Sequence, residues 1–352
     1  MCDCYDVAVI GPGPAGAIFS RCLGDNFKVI AIDKKSGSSN ANGFKKPCGG
    51  LLSPGAQRAL ARLNMTLPKN ILVDPQIFSV KTYDLKSGEI RDYQRCYLNL
   101  DRDKFDRWLI SQIPESVEIR KNSVCTKIAG KDGGFLIEFK ENGVLRQTKA
   151  RYVVGADGAD SIVRRCLFKE HKFKKYMAIQ QHFEHTTNAP IYACFFDPDI
   201  TSSYAWSLVK DNTFIFGGAF HLKNSNKAFE ELKDKLRPHG FKFDNLKKTE
   251  ACQVLRPDLI NGFCTGGDNA FLIGEAAGFI SPSSLEGISH ALNSGYILAK
   301  CFEKGGDINA EYNKKTKKIC TSLKTKTLKR TVLYNGILRK IIMKSGISSI
   351  NI

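Results

Sequence analysis

The sequence lacks the features that mark several classes of protein. Its 352 residues contain no uninterrupted apolar run of about 18 residues, so a membrane-spanning helix is not expected. Proline, at 12 residues, is too scarce and the hydrophobic fraction of 42% is too high for a disordered or collagen-like chain. We expect no secretory leader, because the apolar run near the start is short and no basic segment precedes it. The cysteines form no Cys-x-x-Cys pair and no Cys/His quartet with zinc spacing. We therefore expect a cytoplasmic protein with reduced thiols and no metal site.

Acidic residues are also few, and the imbalance of charge is the unusual feature of the composition. There are 35 acidic and 53 basic residues, which gives a formal net charge of +18. Such a charge favours an acidic partner: nucleic acid, anionic lipid or a phosphorylated substrate. Because no helix-turn-helix, zinc or RNA-binding signature accompanies the charge, nucleic acid is not expected.

Much of this charge lies in the C-terminal region. Residues 311–352 contain eleven Lys or Arg and one acid, Glu311, among apolar residues whose stripe is broken at Asn335-Gly336. The pattern predicts a basic amphipathic helical region. One interpretation is a helical cap on the substrate domain with a solvated basic face. The other is a peripheral contact with anionic lipid at the inner face of the membrane.

A glycine pattern near the start predicts a dinucleotide site. Residues 7–10 form an apolar run typical of a buried parallel strand, and residues 17–23 are typical of a helix. Between them stands Gly-x-Gly-x-x-Gly, in which the glycines allow a tight turn, close approach of a pyrophosphate and packing of the helix on the strand. The predicted cofactor-binding residues of this turn are Gly11, Gly13, Pro14, Ala15 and Gly16.

A second apolar run, residues 28–32, ends at Asp33, followed by Lys34. Asp33 stands where the dinucleotide fold places a carboxylate on a ribose hydroxyl, so we include Asp33 and Lys34 among the cofactor-binding residues. The other interpretation of residues 7–33 is an ordinary glycine-rich strand–helix turn.

Later motifs favour FAD over NAD. Residues 152–164 and 271–288 are again apolar strands that end in turns rich in glycine and acids, and Asp101 is a plausible N-cap for a helix. A hydride-shuttling NAD enzyme does not need these further elements, whereas the ribityl chain and ring of a flavin extend well beyond the first phosphate site.

The motifs resemble a flavoprotein family that includes p-hydroxybenzoate hydroxylase-type monooxygenases and geranylgeranyl reductases. The resemblance covers residues 5–300. The matching segments, in family order, are the glycine turn, R-x-x-F-D-x-x-L from Arg102 to Leu109, G-A-D-G-x-x-S-x-V-R from Gly155 to Arg164, and G-[DE]-A-A-G from Gly274 to Gly278.

The resemblance implies where FAD is held. The positions that it assigns to the cofactor are Arg102, Asp157, Glu275, Gly278, Gly287 and Ile288. Glu275 replaces the usual Asp and is one methylene longer, although it still carries a carboxylate for a ribityl hydroxyl. His290 follows on the same helix start and is a weaker candidate for a place beside the ring.

Two further segments resemble the geranylgeranyl reductase branch, including its CbrA-like bacterial flavoproteins. Lys46-Pro47-Cys48-Gly49-Gly50 resembles P-x-C-G-G, which implies that Cys48 lies near the flavin ring and is a candidate catalytic residue. Residues 204–210 resemble Y-x-W-x-F-P-K, although Leu and Val replace Phe and Pro. The other interpretation of Cys48 is a buried thiol in a glycine-rich turn.

The predicted fold class is α/β. A Rossmann-like FAD-binding domain is interleaved with an α+β substrate domain built on an antiparallel sheet, and a helical tail follows. The predicted bounds are 1–75, 100–175 and 262–300 for the FAD-binding domain, 76–99 and 176–261 for the substrate domain, and 301–352 for the C-terminal region.

The substrate domain is rich in aromatic residues and is predicted to contain an amphipathic helix at residues 226–237. An apolar pocket and core packing are both compatible with this composition. The candidate pocket residues are Tyr204, Trp206 and Phe216, with Gly49 and Gly50. His182 and His185, three positions apart and without a third ligand, are not expected to bind a metal.

Together these observations predict an FAD-dependent oxidoreductase. The favoured reaction is reduction of C=C bonds in an isoprenoid or prenyl lipid, with Cys48 as a candidate proton donor or as a wall of the pocket on the flavin face. The alternatives are a class A monooxygenase that hydroxylates a small aromatic substrate and a non-catalytic, membrane-associated flavoprotein. Because no second Gly-x-Gly-x-x-Gly appears, the electron donor is left as NAD(P)H or ferredoxin, the latter with a reductase or ferredoxin partner.

Overall fold

A computed structural model describes residues 4–35, 46–184, 190–258 and 262–350. His185 lies outside these residues. The strands are β1 (Cys4–Ile10), β2 (Val29–Ile32), β3 (Leu51–Leu52), β4 (Ile77–Asp84), β5 (Glu89–Asn99), β6 (Glu118–Arg120), β7 (Ser123–Lys131), β8 (Gly134–Glu141), β9 (Val144–Gly155), β10 (Lys175–Glu184), β11 (Tyr192–Phe196), β12 (Ala205–Lys210), β13 (Thr213–His221), β14 (Leu246–Leu255), β15 (Gly266–Gly267) and β16 (Ala270–Leu272). The helices are α1 (Pro14–Cys22), α2 (Pro54–Arg62), α3 (Arg102–Ser111), α4 (Ile162–Leu167), α5 (Ser225–Leu236), α6 (Ile288–Lys304), α7 (Ile308–Tyr334) and α8 (Gly336–Ser345).

The chain divides into two compact units, each built from three segments. The first unit comprises Met1–Lys45, Asp103–Lys174 and Leu255–Thr325, and the second comprises Lys46–Arg102, Lys175–Val254 and Lys326–Ile352. Two differences from the predicted division stand out. Residues 46–75 belong to the second unit, and the C-terminal region is shared between the two units.

The first unit is built on a sheet with a parallel centre. Its strand order is β15-β16-β9-β1-β2-β6, and β7 and β8 continue from β9 as antiparallel strands. The apolar run Val29–Ile32 is buried at every position, as expected for a parallel strand covered on both faces. Helix α6 crosses α1 so closely at Gly295 that a side chain there would collide with the Ala15 carbonyl oxygen. Glycine is therefore required at that crossing.

The second unit is built on a mostly antiparallel sheet. Its order is β14-β10-β13-β12-β11-β4-β5-β3, with β11 and β4 paired in parallel. The amphipathic helix predicted at 226–237 is present as α5, and its Phe229 and Leu232 are 1% exposed. They pack on one face of the sheet, where burial of each large apolar side chain contributes about 1.5–3 kcal/mol. This aromatic core contains Phe183, Phe195, Phe214, Phe216, Phe220, Phe241 and Phe243.

Helix α8 is attached to the second unit by a buried ion pair. Arg339 donates from Nε and Nη2 to the two carboxylate oxygens of Asp84, at 3.0 and 2.9 Å, and both side chains are nearly inaccessible to solvent. The Arg339 guanidinium also lies 5.1 Å from the centre of the Phe196 ring. Asn335 ends the apolar stripe as predicted, because its side chain accepts hydrogen bonds from the Ile337 and Leu338 N–H groups and begins a new helix.

We predict that Arg339→Met lowers the free energy of unfolding by about 3–5 kcal/mol, because it leaves the Asp84 carboxylate buried without its counter-charge. Urea unfolding at pH 7 measures this loss. The double variant Asp84→Asn/Arg339→Met removes both charges and should lose less than the single variant. Equal losses in the two variants would contradict the assignment of the ion pair.

The same pair has a predicted pH dependence. Burial raises the pKa of Asp84, but the hydrogen bonds and charge of Arg339 outweigh it and hold the pKa below the ordinary value. The stabilisation is therefore complete above about pH 4 and is lost as the pH falls through the lowered pKa.

Candidate functional site

The turn between β1 and α1 combines tight packing with one open position. Gly11 has φ +88°, and a Cβ there would lie 2.9 Å from the Asp157 Cα. A Cβ at Gly16 would lie 2.5 Å from the Gly11 carbonyl oxygen. A Cβ at Gly13 would instead meet no atom of the described residues within 4 Å, apart from its chain neighbours. Pro14, the first residue of α1, has no N–H group, and the N–H groups of Ala15 and Gly16 are donors that the helix itself does not use. The turn thus leaves space for an anionic group at Gly13, at the positive end of a helix.

Asp33 lies beside this turn because β2 pairs in parallel with β1. Ile10 and Ile32 are partners in the register, and the Gly11 N–H donates to the Ile32 carbonyl oxygen at 3.0 Å. The Asp33 side chain is 7% exposed, and its Oδ1 accepts from the Lys35 N–H at 3.0 Å. Burial raises the pKa of Asp33, while that hydrogen bond opposes the shift. Lys34, by contrast, is exposed.

Asp157 follows β9 and lies at the same carboxyl edge of the sheet as the glycine turn and Asp33. The Ala156 N–H donates to the Ile10 carbonyl oxygen at 2.8 Å, which fixes the turn after β9 next to the glycine turn. Asp157 Oδ2 accepts from the Ile162 N–H at 2.6 Å. Its Oδ1 is shielded from solvent and has no hydrogen-bond partner among the described residues, and burial raises the pKa of the carboxyl. Such a group is suited to a ligand hydroxyl.

Glu275 lies in a 3-10 turn, Gly274–Ala277, that follows β16. Its Oε1 accepts from the Leu255 N–H at 2.9 Å, so at least part of the carboxylate is engaged within the first unit. The buried Arg164 guanidinium donates to the Ala276 and Ala159 carbonyl oxygens at 2.5 and 2.6 Å, and so joins this turn to the Asp157 turn.

The remaining positions predicted from the resemblance are distributed as follows. Gly278 has φ +82° and packs against the Phe173 ring. Gly287 is the N-cap of α6, and Ile288, its first residue, is buried. His290 is also buried, with Nε2 3.9 Å from a Glu286 carboxylate oxygen. Arg102 is the first residue of α3.

In the second unit, the sheet face opposite the aromatic core carries polar atoms. Gln180, Gly217 and Trp206 are partners across three neighbouring strands, so they form one row. The indole ring covers Gly217, where any Cβ would lie 2.7 Å from it. Trp206 Nε1 and Gln180 Oε1 are both shielded, and neither has a hydrogen-bond partner within the described part of the chain. One donor and one acceptor are thus available on this face.

Aromatic and small residues surround this row. The Tyr204 ring centre lies 5.6 Å from that of Trp206, and burial raises the Tyr204 pKa well above its ordinary value. Cys194 pairs with Trp206 across the strands, and its Sγ lies 3.3 Å from the Tyr192 hydroxyl. Gly49 also lies near the indole, since a Cβ there would be 3.9 Å from Nε1.

Phe216, a predicted pocket residue, lies in the core. Strand alternation puts it on the face opposite Trp206, and it is fully buried. Its ring contacts those of Phe195, Phe229 and Phe243 under α5. The structure therefore places Phe216 with the aromatic core and away from the face that carries Tyr204, Trp206 and Gly49.

The segment that carries Cys48 is held by a lysine that the sequence analysis did not single out. Gly50, at φ +61°, has no room for a side chain, because a Cβ would collide with the Leu100 carbonyl oxygen and lie 2.7 Å from Lys210 Nζ. Lys210 Nζ donates to Asn99 Oδ1 at 2.8 Å and to that carbonyl oxygen at 2.5 Å. The Gly50 N–H points at Cys48 Sγ, 3.4 Å away.

Burial lowers the pKa of Lys210 to about 8, although the nearby Cys48 favours the charged form. A half-buried thiol therefore lies in the field of an amine that changes charge near physiological pH. In the sequence, Lys210 could have been found only as the Lys that ends the segment resembling Y-x-W-x-F-P-K. Its contacts with Asn99 and Leu100, more than a hundred positions away, have no local signature.

Metal binding has no support within the part of the chain that the structure describes. There, no group of three or more His, Cys, Asp or Glu side chains is arranged to hold an ion. His182 Nε2 instead lies 3.1 Å from a Glu250 carboxylate oxygen. Among the described helices, none is both long enough and apolar enough to span a membrane.

We predict a pH dependence of stability that originates from Lys210. Because the folded pKa lies below the ordinary value of 10.5, the unfolded chain binds more protons between about pH 8 and 10.5, and this contribution to the free energy of unfolding rises with pH. The slope is at most about 1.4 kcal/mol per pH unit. Urea unfolding across this range should show that the free energy of unfolding depends less on pH in Lys210→Met than in Lys81→Met, the control variant in β4. Identical profiles would contradict the shift.

The comparisons with known proteins show both relatives and a shared fold. No protein-family model matches the chain. Protein CbrA of Escherichia coli O9:H4 (strain HS) is 48% identical over 347 residues, covering 98% of this chain and 94% of the relative.

Two solved structures share the architecture at low identity. A geranylgeranyl bacteriochlorophyll reductase-like protein of Thermoplasma acidophilum has a TM-score of 0.81 at 17% identity and covers 98% of this chain and 92% of its own. PqsL of Pseudomonas aeruginosa, a probable FAD-dependent monooxygenase, has a TM-score of 0.71 at 15% identity and covers 98% and 100%. At such identities the likeness establishes the fold, which confirms the predicted fold class. With this fold and a relative that is nearly half identical along almost its whole length, the chain belongs to the CbrA family.

Proposed function

We propose that the protein is an FAD-dependent oxidoreductase that reduces C=C bonds of an isoprenoid or prenyl-lipid substrate. The observation that carries the cofactor assignment is the row formed by the open position at Gly13, the buried carboxylate of Asp33 and the unpartnered oxygen of Asp157. These features lie at the carboxyl ends of β1, β2 and β9, where folds of this type bind ligands.

Each member of this row fits a part of FAD. The glycine turn and the start of α1 would hold the pyrophosphate, and Asp33 would bind a ribose hydroxyl. Asp157, with Glu275 and Gly278 from the turn that Arg164 joins to it, would hold the ribityl side. Gly287 and Ile288, at the start of α6, are proposed for the ring.

A glycine substitution tests this assignment. Gly13→Val should fold, because φ is −71° and, apart from the two chain neighbours, no described residue has an atom within 4 Å of the added Cβ. The valine side chain would, however, fill the space proposed for the pyrophosphate. Absorption in the visible flavin region and FAD titration should show wild-type binding and at least about a tenfold weaker affinity for Gly13→Val.

Gly130→Val is the matched control, since Gly130 in β7 also has open space around its Cβ. A colourless wild-type protein that cannot be reconstituted with FAD would refute the cofactor assignment. Stoichiometric FAD in Gly13→Val would refute the role of the turn.

The substrate proposal rests on the second unit. An isolated alkene is a poor electrophile, so its reduction requires a proton on one carbon as a hydride reaches the other. When bound, reduced FAD supplies that hydride. The Cys48 Sγ–H is proposed to supply the proton, and the Lys210 ammonium and Gly50 N–H would stabilise the resulting thiolate. Solvent then returns a proton to the sulfur.

The face around Trp206 suits a mainly apolar substrate with one polar end. Tyr204, Trp206 and Gly49 offer apolar surface, while Trp206 Nε1 and Gln180 Oε1 offer one donor and one acceptor. A prenyl chain that ends in a polar group has this pattern. The fold shared with the geranylgeranyl bacteriochlorophyll reductase-like protein is consistent with such a substrate. Electrons would come from NAD(P)H or from ferredoxin.

A second test concerns Cys48. Cys48→Ala should slow single-turnover alkene reduction by about 10²–10⁴-fold in anaerobically prereduced enzyme, because the positioned proton is lost. Prenyl diphosphates and prenylated quinones are the substrates to use, and mass spectrometry counts two added hydrogens per saturated bond. Cys96→Ala, which removes an exposed thiol of β5, is the control. An unchanged rate in Cys48→Ala would exclude the donor role.

The runner-up is hydroxylation of a small aromatic substrate, favoured by the fold shared with PqsL and by the donor and acceptor on the Trp206 face. The two reactions differ in their use of oxygen. Oxygen uptake in proportion to NADPH consumption, stimulated by an aromatic compound, would support the hydroxylase. Anaerobic saturation of a prenyl chain would support the reductase.

A further inference from the structure

Helix α8 has its polar and apolar sides reversed relative to an ordinary surface helix. Its buried residues are Arg339 and Met343, one turn apart, whereas Ile337 is 73% exposed and Ile341 is 59% exposed. Leu338 and Ile342 are exposed as well. A surface helix of a water-soluble protein normally turns its apolar stripe toward the core. Here the side that faces the protein carries a charge, and the side that faces outward carries branched aliphatics.

The arrangement around the helix axis is ordered. At 100° per residue, the four exposed aliphatics occupy one continuous arc of roughly 140°. Arg339 and Met343 follow on the docked side, and Lys340 and Lys344 occupy the remaining arc. The apolar arc thus has lysines along one edge. We call these four aliphatic residues the α8 outer face.

The α8 outer face is held in place by interactions on the docked side. Besides the Asp84–Arg339 pair, Arg91 Nε donates to the Met343 carbonyl oxygen at 2.9 Å. The Ile350 N–H donates to the Asp92 carbonyl oxygen at 2.8 Å, so the segment after α8 is also attached to β5. With these attachments, a small rotation about the helix axis cannot bury the outer face.

Exposed aliphatic residues continue beyond α8. Ile347, just after α8, is 65% exposed, and Ile350 is also exposed. Helix α7 differs, because its large apolar residues Tyr312, Ile319 and Leu323 recur on one side of the helix and are buried. The apolar stripe expected across the C-terminal region is thus buried at these positions of α7, whereas it is exposed in α8 and in the residues that follow it.

We propose that the α8 outer face docks on an anionic lipid bilayer, with its aliphatic side chains in the boundary between headgroups and acyl chains and with Lys340 and Lys344 at the phosphates. Charge complementarity identifies the occupant. The +18 net charge, concentrated in residues 311–352, favours a surface of negative charge, and the aliphatic arc favours one that is apolar beneath that charge. An anionic bilayer offers both. A second copy of this chain would bring a like charge to the same place.

The proposal does not depend on the proposed oxidoreductase reaction. The experiment is sedimentation of the full-length protein with vesicles of phosphatidylglycerol and phosphatidylcholine, and with vesicles of phosphatidylcholine alone. Binding is expected only with the anionic vesicles. Ile337→Ser/Ile341→Ser should weaken it at least about tenfold through lost apolar burial. Lys340→Gln/Lys344→Gln should weaken it about tenfold and reduce its sensitivity to salt.

The matched control is Val144→Ser/Leu145→Ser, which removes two exposed aliphatic residues from the start of β9 and should bind like the wild type. Circular dichroism confirms folding, since all these positions are exposed. Wild-type binding by Ile337→Ser/Ile341→Ser, or no binding by the wild type, would overturn the proposal. A wild-type dimer in light scattering that becomes monomeric in this variant would also overturn it, in favour of a second copy.

Discussion

Parallel pairing of β1 with β2 and β9 is the constraint on which the candidate cofactor site depends. The pairing brings three strand ends to one edge and leaves their turns within hydrogen-bond distance of each other's backbone. At that separation, a side chain at position 11 or 16 would collide with neighbouring backbone atoms. Glycine there follows from the packing, while the openness at Gly13 is what a ligand could use. Packing thus requires glycine at positions 11 and 16, whereas the proposed binding concerns Gly13 of the same short motif.

In the second unit, the two faces of one sheet differ in chemistry. Alternation along β10, β12 and β13 sends phenylalanines under α5 and sends Trp206 and Gln180 to the other side. The polar atoms on that side carry unsatisfied hydrogen-bonding capacity, which is costly in a folded protein and is usually retained where a ligand binds. Lys210 has a comparable cost in its lowered pKa, and it holds the Cys48 segment through Asn99 and Leu100.

Local sequence patterns predicted the fold well, but they did not predict contacts between residues that are distant in the sequence. The glycine turn, Asp33, the four family motifs and α5 could be found because each has a short-range signature of spacing or periodicity. Phe216 could not be separated from Trp206, because both are aromatics on neighbouring strands and only the register shows that they face opposite sides. Residues 46–75 were assigned to the other unit, since their place depends on the pairing of β3 with β5. The contact of Lys210 with Leu100 joins distant positions and leaves no local trace.

The Asp84–Arg339 pair joins positions 255 residues apart. During synthesis, Asp84 leaves the ribosome long before its partner exists, and closing so long a loop is entropically slow. The orientation of helix α8 therefore depends on a contact that only the complete, folded second unit contains. Its outward aliphatic face is consequently a property of the finished protein, and a truncated or misfolded chain would not present that face in the same orientation.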